Sequence, residues 1–405
     1  MARLKPDTLT LTGVLALLTA IGPMATDMYL PVLPVIRTAL DATTSQTQAT
    51  LSGFLIGYAL AQLFYGPISD RKGRRPAMLA GLALFTLGSI LCALAQDIRF
   101  LVAARVLQAL GGAGTVVLAR AMVRDLYEGP RAGRELARMG SIMAVVPAVV
   151  PILGAGFAAI WGWRSIFWFM AIAGPALALI VAMGLPESLR APLTTRFSLA
   201  AMLRDFGAIF RMPTFRTYTL TGGLTFAGFM AFLSGGSFVL QGVYRISDSA
   251  FALGFALVVV GYIIGTSFTQ RKVGSWGIDK TIRCGTLVAA PAAAAMVLAV
   301  ATGWGGALGV FIPMTVFQAS MGLILPLSSA GAMMPFPEKA GSASSLFSVL
   351  QMSLAATSGA LVGIALDHTP LALPVMILVC ALAALTVFAR HRPAGGQAPP
   401  ASLAE

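Results

Sequence analysis

Apolar residues in this chain run in long blocks instead of alternating or recurring every third or fourth position. Leu9–Ile21, Met78–Ala95, Ala137–Ile160, Ile166–Leu185, Phe251–Phe268, Val288–Thr302, Leu308–Leu327 and Leu371–Ala389 hold almost no charge. A helix that crosses a bilayer needs roughly 20 such residues, and this many blocks cannot all be buried inside one water-soluble core. A membrane β-barrel would show alternating segments of about 10 residues, which the chain lacks. The pattern predicts an all-α membrane protein with twelve transmembrane helices, near 9–36, 46–66, 77–96, 99–121, 137–160, 163–185, 217–241, 250–270, 281–302, 305–329, 341–364 and 370–390.

Composition agrees. The 405 residues are 57% hydrophobic and 11% charged, with mean hydropathy +0.84, against about 25% charged residues in a soluble domain. The first block follows only Arg3 and Lys5 and has no small-residue cleavage site, so it reads as a retained helix. Cys92, Cys284 and Cys380 lie singly in apolar stretches and suggest neither a disulfide framework nor a metal site.

The formal charge of +13 could indicate nucleic acid, but the placement of the basic residues argues otherwise. With twelve spans, the termini and the loops after even-numbered helices hold most of them, including Arg71, Lys72, Arg74, Arg75, Arg124, Arg131, Arg134, Arg138, Arg190, Arg196, Arg204, Arg211, Arg216, Arg271, Lys272, Lys280 and Arg283. The opposite loops hold Arg37, Arg99, Arg164 and Arg245. The positive-inside rule then puts both termini in the cytoplasm. The longest loop separates two six-helix bundles, giving an N-terminal bundle over 1–186, a linker with an interfacial helix over 187–216, a C-terminal bundle over 217–392 and a disordered tail over 393–405. GPISDRKGRRP after the second helix and QRKVGSWGIDK after the eighth occupy equivalent places, as in transporters built from two related halves.

Among the fifteen acids, Asp27 is the one well inside an apolar span. A carboxylate there is costly and usually faces a cavity or a partner. Arg105, at a similar depth on the fourth helix, is the expected partner, with Gln108 one turn further on. The pair reads as a proton-coupling site; the bland alternative is a permanent ion pair that fixes two helices. Pro23, Pro31 and Pro34 predict a kinked first helix lining a cavity. In the loop GPISDRKGRRP, Gly66 and Gly73 suggest a tight turn, and Asp70, Arg71, Arg74 and Arg75 a gate. Asp70 is expected to meet a helix N-terminus near Gly341-Ser342. Pro147, Pro151, Gly154 and Gly156 mark a pliable fifth helix.

These strings resemble the major facilitator superfamily. GPISDRKGRRP is similar to its signature loop, RVLQALGGAG to its helix-four motif, and PAVVPILGAGF to the helix-five motif of antiporters, with Val150-Pro151 where Gly-Pro is usual. TDMYLPVLP and RAMVRDLY resemble the bicyclomycin and chloramphenicol resistance (Bcr/CflA) branch of drug/proton antiporters. The resemblance implies alternating access and drug export driven by the proton gradient, without a cofactor, in a monomer. Asp27 corresponds to the helix-one acid, Arg105 to the helix-four arginine, and Asp70 with Arg71 to the gate loop. The position near Thr19, where some related exporters carry a second acid, holds none.

A drug pocket is mostly apolar with a few polar groups. Met24, Tyr58, Asp27, Arg105 and Gln108 in the first half supply that mixture, as do Phe229, Phe232, Gln241, Gln318, Phe347 and Gln351 in the second. The second half offers no buried charge, which favours neutral or amphiphilic substrates over anions. Export of metabolites such as amino acids, short peptides or nucleosides, and an uncoupled uniporter or sensor, are the alternatives. No nucleophile–base pair or phosphate loop supports an enzyme.

Overall fold

The computed structural model describes residues 9–127, 135, 139, 146, 149–189, 199–336, 340–366 and 369–390. The described elements are all helical, and ten of the helices among them are long and apolar enough to cross a membrane. The chain divides into two compact units, Met1–Phe197 and Ser198–Glu405.

In the first unit, α1 (Leu9–Asp27) ends where a short 3₁₀ turn (Leu30–Val32) and α2 (Leu33–Ala39) begin. Pro31 and Pro34 each remove a backbone donor, so the expected single kinked helix is interrupted just after Asp27. α3 (Thr44–Lys72) starts on a capping box in which Thr43 and Gln46 satisfy each other's backbone N–H. α4 (Arg74–Leu94) and α5 (Ile98–Leu126) follow, and Asp97 caps the start of α5. An apolar helix α6 (Val149–Trp161) and α7 (Arg164–Gly184) complete the unit. α5 lies at the centre, packed on α1, α3 and α4. Glycines allow this: Gly111 of α5 lies directly on the backbone of Gly81 and Phe85 in α4, where no side chain would fit.

In the second unit, an amphipathic helix α8 (Leu199–Arg211) precedes α9 (Pro213–Ser237), which continues into a π-helical turn (Phe238–Val243). α10 (Asp248–Thr302), α11 (Leu308–Met333), α12 (Ala340–Leu366) and α13 (Ala372–Ala389) follow. α9 is the hub, packed on α11, α12 and α13. α10 has 55 residues but is broken at Gly277, whose φ of 72° and ψ of 174° interrupt the helix.

The same device joins α3 to α4. Gly73 has φ 97° and ψ 150°, a region essentially restricted to glycine. The sequence strings GPISDRKGRRP and QRKVGSWGIDK thus share a backbone event, a single glycine that turns the chain between two apolar helices. Gly66 was expected to share the turn, but it lies inside α3, because the helix runs on through Pro67 to Lys72.

Candidate functional site

Asp27 is the last residue of α1 and is 6% exposed. Its Oδ1 accepts from the Thr26 hydroxyl at 3.0 Å. Arg105 is fully buried on α5, yet the expected ion pair with Asp27 is not formed. The arginine Nη1 donates to the Ala25 carbonyl at 2.9 Å and to Gln108 Oε1 at 2.6 Å. Arg105 reaches the carbonyl two residues before Asp27, but position along a helix does not fix the direction in which a side chain points. In a helix a residue two positions beyond Ala25 projects about 200° round from it, so the Asp27 carboxylate leaves α1 in another direction.

The rest of the guanidinium lies among aromatic faces. Its carbon is 4.3 Å from the centroid of Phe54, 4.7 Å from Tyr29 and 5.9 Å from Phe167. Nε and Nη2 have no hydrogen-bond partner. Ring quadrupoles therefore supply much of the attraction that a carboxylate was expected to provide. Tyr29 is itself held by Thr50, oxygen to oxygen at 2.6 Å, and Gln108 passes its amide on to Ser89 Oγ at 2.8 Å. Neither Phe54 nor Phe167 stands out in the sequence, since each is one aromatic among many in an apolar span.

Met24 is half-buried one turn before Met28, and Tyr58 is buried, stacked on Phe54 at 5.7 Å with its hydroxyl against Gly22. Gly154 of α6 packs on the Met28 carbonyl with no space for a side chain, and Pro151 is buried one turn earlier. Pro147 lies outside the described residues.

The signature segment forms a second polar cluster. Arg74 pairs with Asp70 at 2.5 Å and with Asp125 Oδ2 at 2.9 Å, and donates to Ser69 Oγ at 2.6 Å. Arg71 donates to the Pro67 carbonyl at 2.8 Å, and Arg75 Nη2 donates to the Ala182 carbonyl. The carboxylate that meets a helix N-terminus here is Glu187: it accepts from the Arg74 and Arg75 amides at 2.9 and 3.1 Å, at the start of α4. Ser188 donates to Asp125 Oδ2 at 2.9 Å. Asp125 lies in the string RAMVRDLY and Glu187 directly after Pro186, but nothing local in the sequence joins either to residue 74.

Glu135 is a further buried acid, accepting from Thr12 Oγ1 of α1 at 2.7 Å. Sequence reading passed over it because Arg131, Arg134 and Arg138 surround it and give that stretch the look of a loop.

In the second unit the expected pocket residues are scattered. Phe232 is buried face to face on Phe255 of α10 at 6.4 Å, and Phe229 stacks on the same ring at 6.5 Å. Both rings thus reach from α9 to the same ring of α10. Gln241 donates to Asp248 Oδ1 at 2.7 Å and ties the π-helical turn to the start of α10. Gln318 of α11 is 2% exposed, and its Oε1 has no partner. Phe347 and Gln351 are buried one turn apart on α12, with Phe347 against Gly222 of α9.

The described geometry is thus buried charged side chains in one helical unit, buried but uncharged polar groups in the other, and a helix pair turned at a glycine in each. The profile of the Major Facilitator Superfamily matches residues 15–360. The chain belongs to that superfamily. It is 30% identical to the multidrug resistance protein D of Escherichia coli, over 83% of this chain and 84% of that one. It is also 30% identical to a chloramphenicol resistance protein of Pseudomonas aeruginosa, over 91% and 86%. These relatives agree with the Bcr/CflA branch that the first-half strings resemble. Among solved structures, the xylose transporter XylE of Escherichia coli, in a partially occluded inward-open conformation, superposes with a TM-score of 0.73 at 14% identity, covering 96% of this chain and 99% of that one. That likeness concerns the fold. As a superfamily member the chain is a multi-pass membrane transporter, not an enzyme.

Proposed function

We propose that this protein is a proton-coupled antiporter that exports small neutral or amphiphilic drug-like molecules across the bacterial inner membrane, with Asp27 as the proton carrier. The observation that carries the reading is Asp27 itself. It is buried at the end of α1, accepts one hydroxyl hydrogen bond and forms no ion pair with Arg105. A carboxyl group locked to a cation would be a strut. One without that lock can take up a proton when water reaches it and release it when its surroundings change. Arg105, fixed by rings and by the Ala25 carbonyl two residues from Asp27, provides a steady positive field beside the end of α1.

The names of the resistance relatives support drug-like cargo. The uncharged buried polar groups of the second unit, Gln318 and Gln351 among them, support neutral molecules over anions. In the same reading the helix count is twelve: α10 contributes two spans, since about 1.5 Å per residue makes 55 residues far longer than one crossing. α6 belongs to the apolar block at 137–160. Both termini lie in the cytoplasm, the protein works as a monomer, and the proton gradient drives it without a cofactor.

Everted vesicles test the coupling. Adding a chloramphenicol-type substrate should release protons and partly collapse a preformed ΔpH, and Asp27→Asn should abolish the response. Substrate-evoked proton release that survives in Asp27→Asn would remove Asp27 from the role. A parallel antibiotic panel in overexpressing cells should show raised resistance; no shift, together with altered metabolite release, would point to a metabolite exporter.

A further inference from the structure

We propose that α8 and the basic junction within α10 form a recognition surface for anionic phospholipid headgroups. α8 has three distinct faces. Phe206 and Ile209 turn inward onto a cluster that includes Phe215, Tyr218 and Ile282. Leu203 and Phe210, two turns apart on a second face, are 57% and 40% exposed. Arg204 and Arg211 are exposed on the strip directly beside them. A helix whose third side is occupied by protein, and which shows an apolar stripe next to a basic one, fits the boundary between acyl chains and headgroups. There the apolar stripe enters the hydrocarbon and the arginines reach the phosphate level.

The junction around Gly277 adds an independent observation. Val273 and Ile278 pack on the same cluster as Phe206, which brings the exposed Arg271, Lys272, Lys280 and Arg283 to the same end of the unit. Lys280 Nζ lies 5.1 Å over the ring of Trp276, which meets Phe268 edge-on at 5.5 Å. A tryptophan and a lysine together at a helix end are the usual residues of a membrane interface. The described carboxylates beside these six cations are Asp205 and Asp279, and Asp279 already accepts from the Tyr218 hydroxyl at 2.5 Å. The surplus of positive charge selects an anionic lipid over a zwitterionic one.

The test uses the full chain in phosphatidylcholine nanodiscs and needs no substrate, so its outcome is independent of the export reading. Leu203→Trp supplies a reporter, read as the difference from the unmodified protein. Brominated phosphatidylcholine and brominated phosphatidylglycerol are compared as quenchers at equal mole fraction. Both should quench, with phosphatidylglycerol stronger by about two-fold or more. Adding Arg204→Gln and Arg211→Gln should keep the quenching and weaken the preference, and adding Arg271→Gln, Lys272→Gln, Lys280→Gln and Arg283→Gln to these should remove it; a preference undiminished by all six would overturn the proposal. No quenching by either lipid would show that α8 does not touch the bilayer. Equal quenching by both would show that it touches the bilayer without recognising charge. Either result overturns the proposal, and Phe210→Trp repeats the measurement should Leu203→Trp fail to fold.

Discussion

Arg105 is held as a flat cation more than as a point charge. Its two hydrogen bonds leave from a single nitrogen, and the remaining surface faces Phe54, Tyr29 and Phe167. Lysine would keep the charge but could neither stack nor present a planar fork. Each charge-assisted hydrogen bond contributes about 1.5–3 kcal/mol. Arg105→Ala, which loses both, should therefore lower the export rate by roughly ten-fold or more, and Arg105→Lys, whose single nitrogen can still donate but has no flat face for the rings, should lower it less, by about three- to five-fold. Phe54→Leu, which keeps both hydrogen bonds and removes one ring, should cost about three-fold, in line with a cation–π contact of about 0.5–1 kcal/mol. Uptake rates in vesicles at matched protein content check both. Near wild-type transport in Arg105→Lys would mean that charge alone matters there, as it would if a carboxylate were the true partner.

At the level of elements, the glycine turns carry strain that other residues cannot. Gly73 and Gly277 adopt positive φ with extended ψ, at a cost of about 1–3 kcal/mol for a residue with a side chain. Gly277→Ala should lower thermal stability by that amount, measured as the melting midpoint in detergent. Gly73→Ala should lower it further, since a Cβ there would lie 2.6 Å from Glu187 Oε2 and disturb the cap on α4. Equal losses in the two variants would show that the Glu187 contact adds nothing. The sequence announced the apolar helices and the turn at Gly73, and placed QRKVGSWGIDK in the equivalent position without singling out Gly277, because hydropathy blocks and charge punctuation are local signals. It could not announce Glu187 at residues 74 and 75, or Asp125 at Arg74, because those contacts join positions 51 to 113 apart. Nor could it give azimuth. Asp27 and Arg105 stand out in the sequence, but the direction in which each side chain leaves its helix, which sends them to Thr26 and to Ala25 and Gln108, is not a local signal. Phe229 and Phe232 stand out as aromatic positions, but nothing local in the sequence shows that both stack on Phe255 of α10.

Over the whole molecule, charge and neutral polarity are divided between the two units. Among the described residues, the buried charged side chains are Asp27, Arg74, Arg105 and Glu135, all in the first unit, whereas the buried polar side chains of the second, threonines, serines, glutamines and Tyr218, are uncharged. In the function proposed above, this division would put the titrating group in one unit and the hydrogen-bonding groups for neutral cargo in the other, so that each can be occupied without the other. This division makes a separable prediction for Asp27→Asn. The amide cannot carry a proton, so uphill export against a drug gradient should vanish. It preserves size and the capacity to accept from Thr26, so exchange of labelled for unlabelled drug across proteoliposomes at equal pH should continue, within about three-fold of the wild-type rate if the Asp27 contact to cargo is worth less than about 0.7 kcal/mol. Loss of exchange along with uphill transport would place the drug on Asp27 itself. Proton and cargo would then compete for one carboxyl group in the first unit, and the glutamines of the second would have no part in binding.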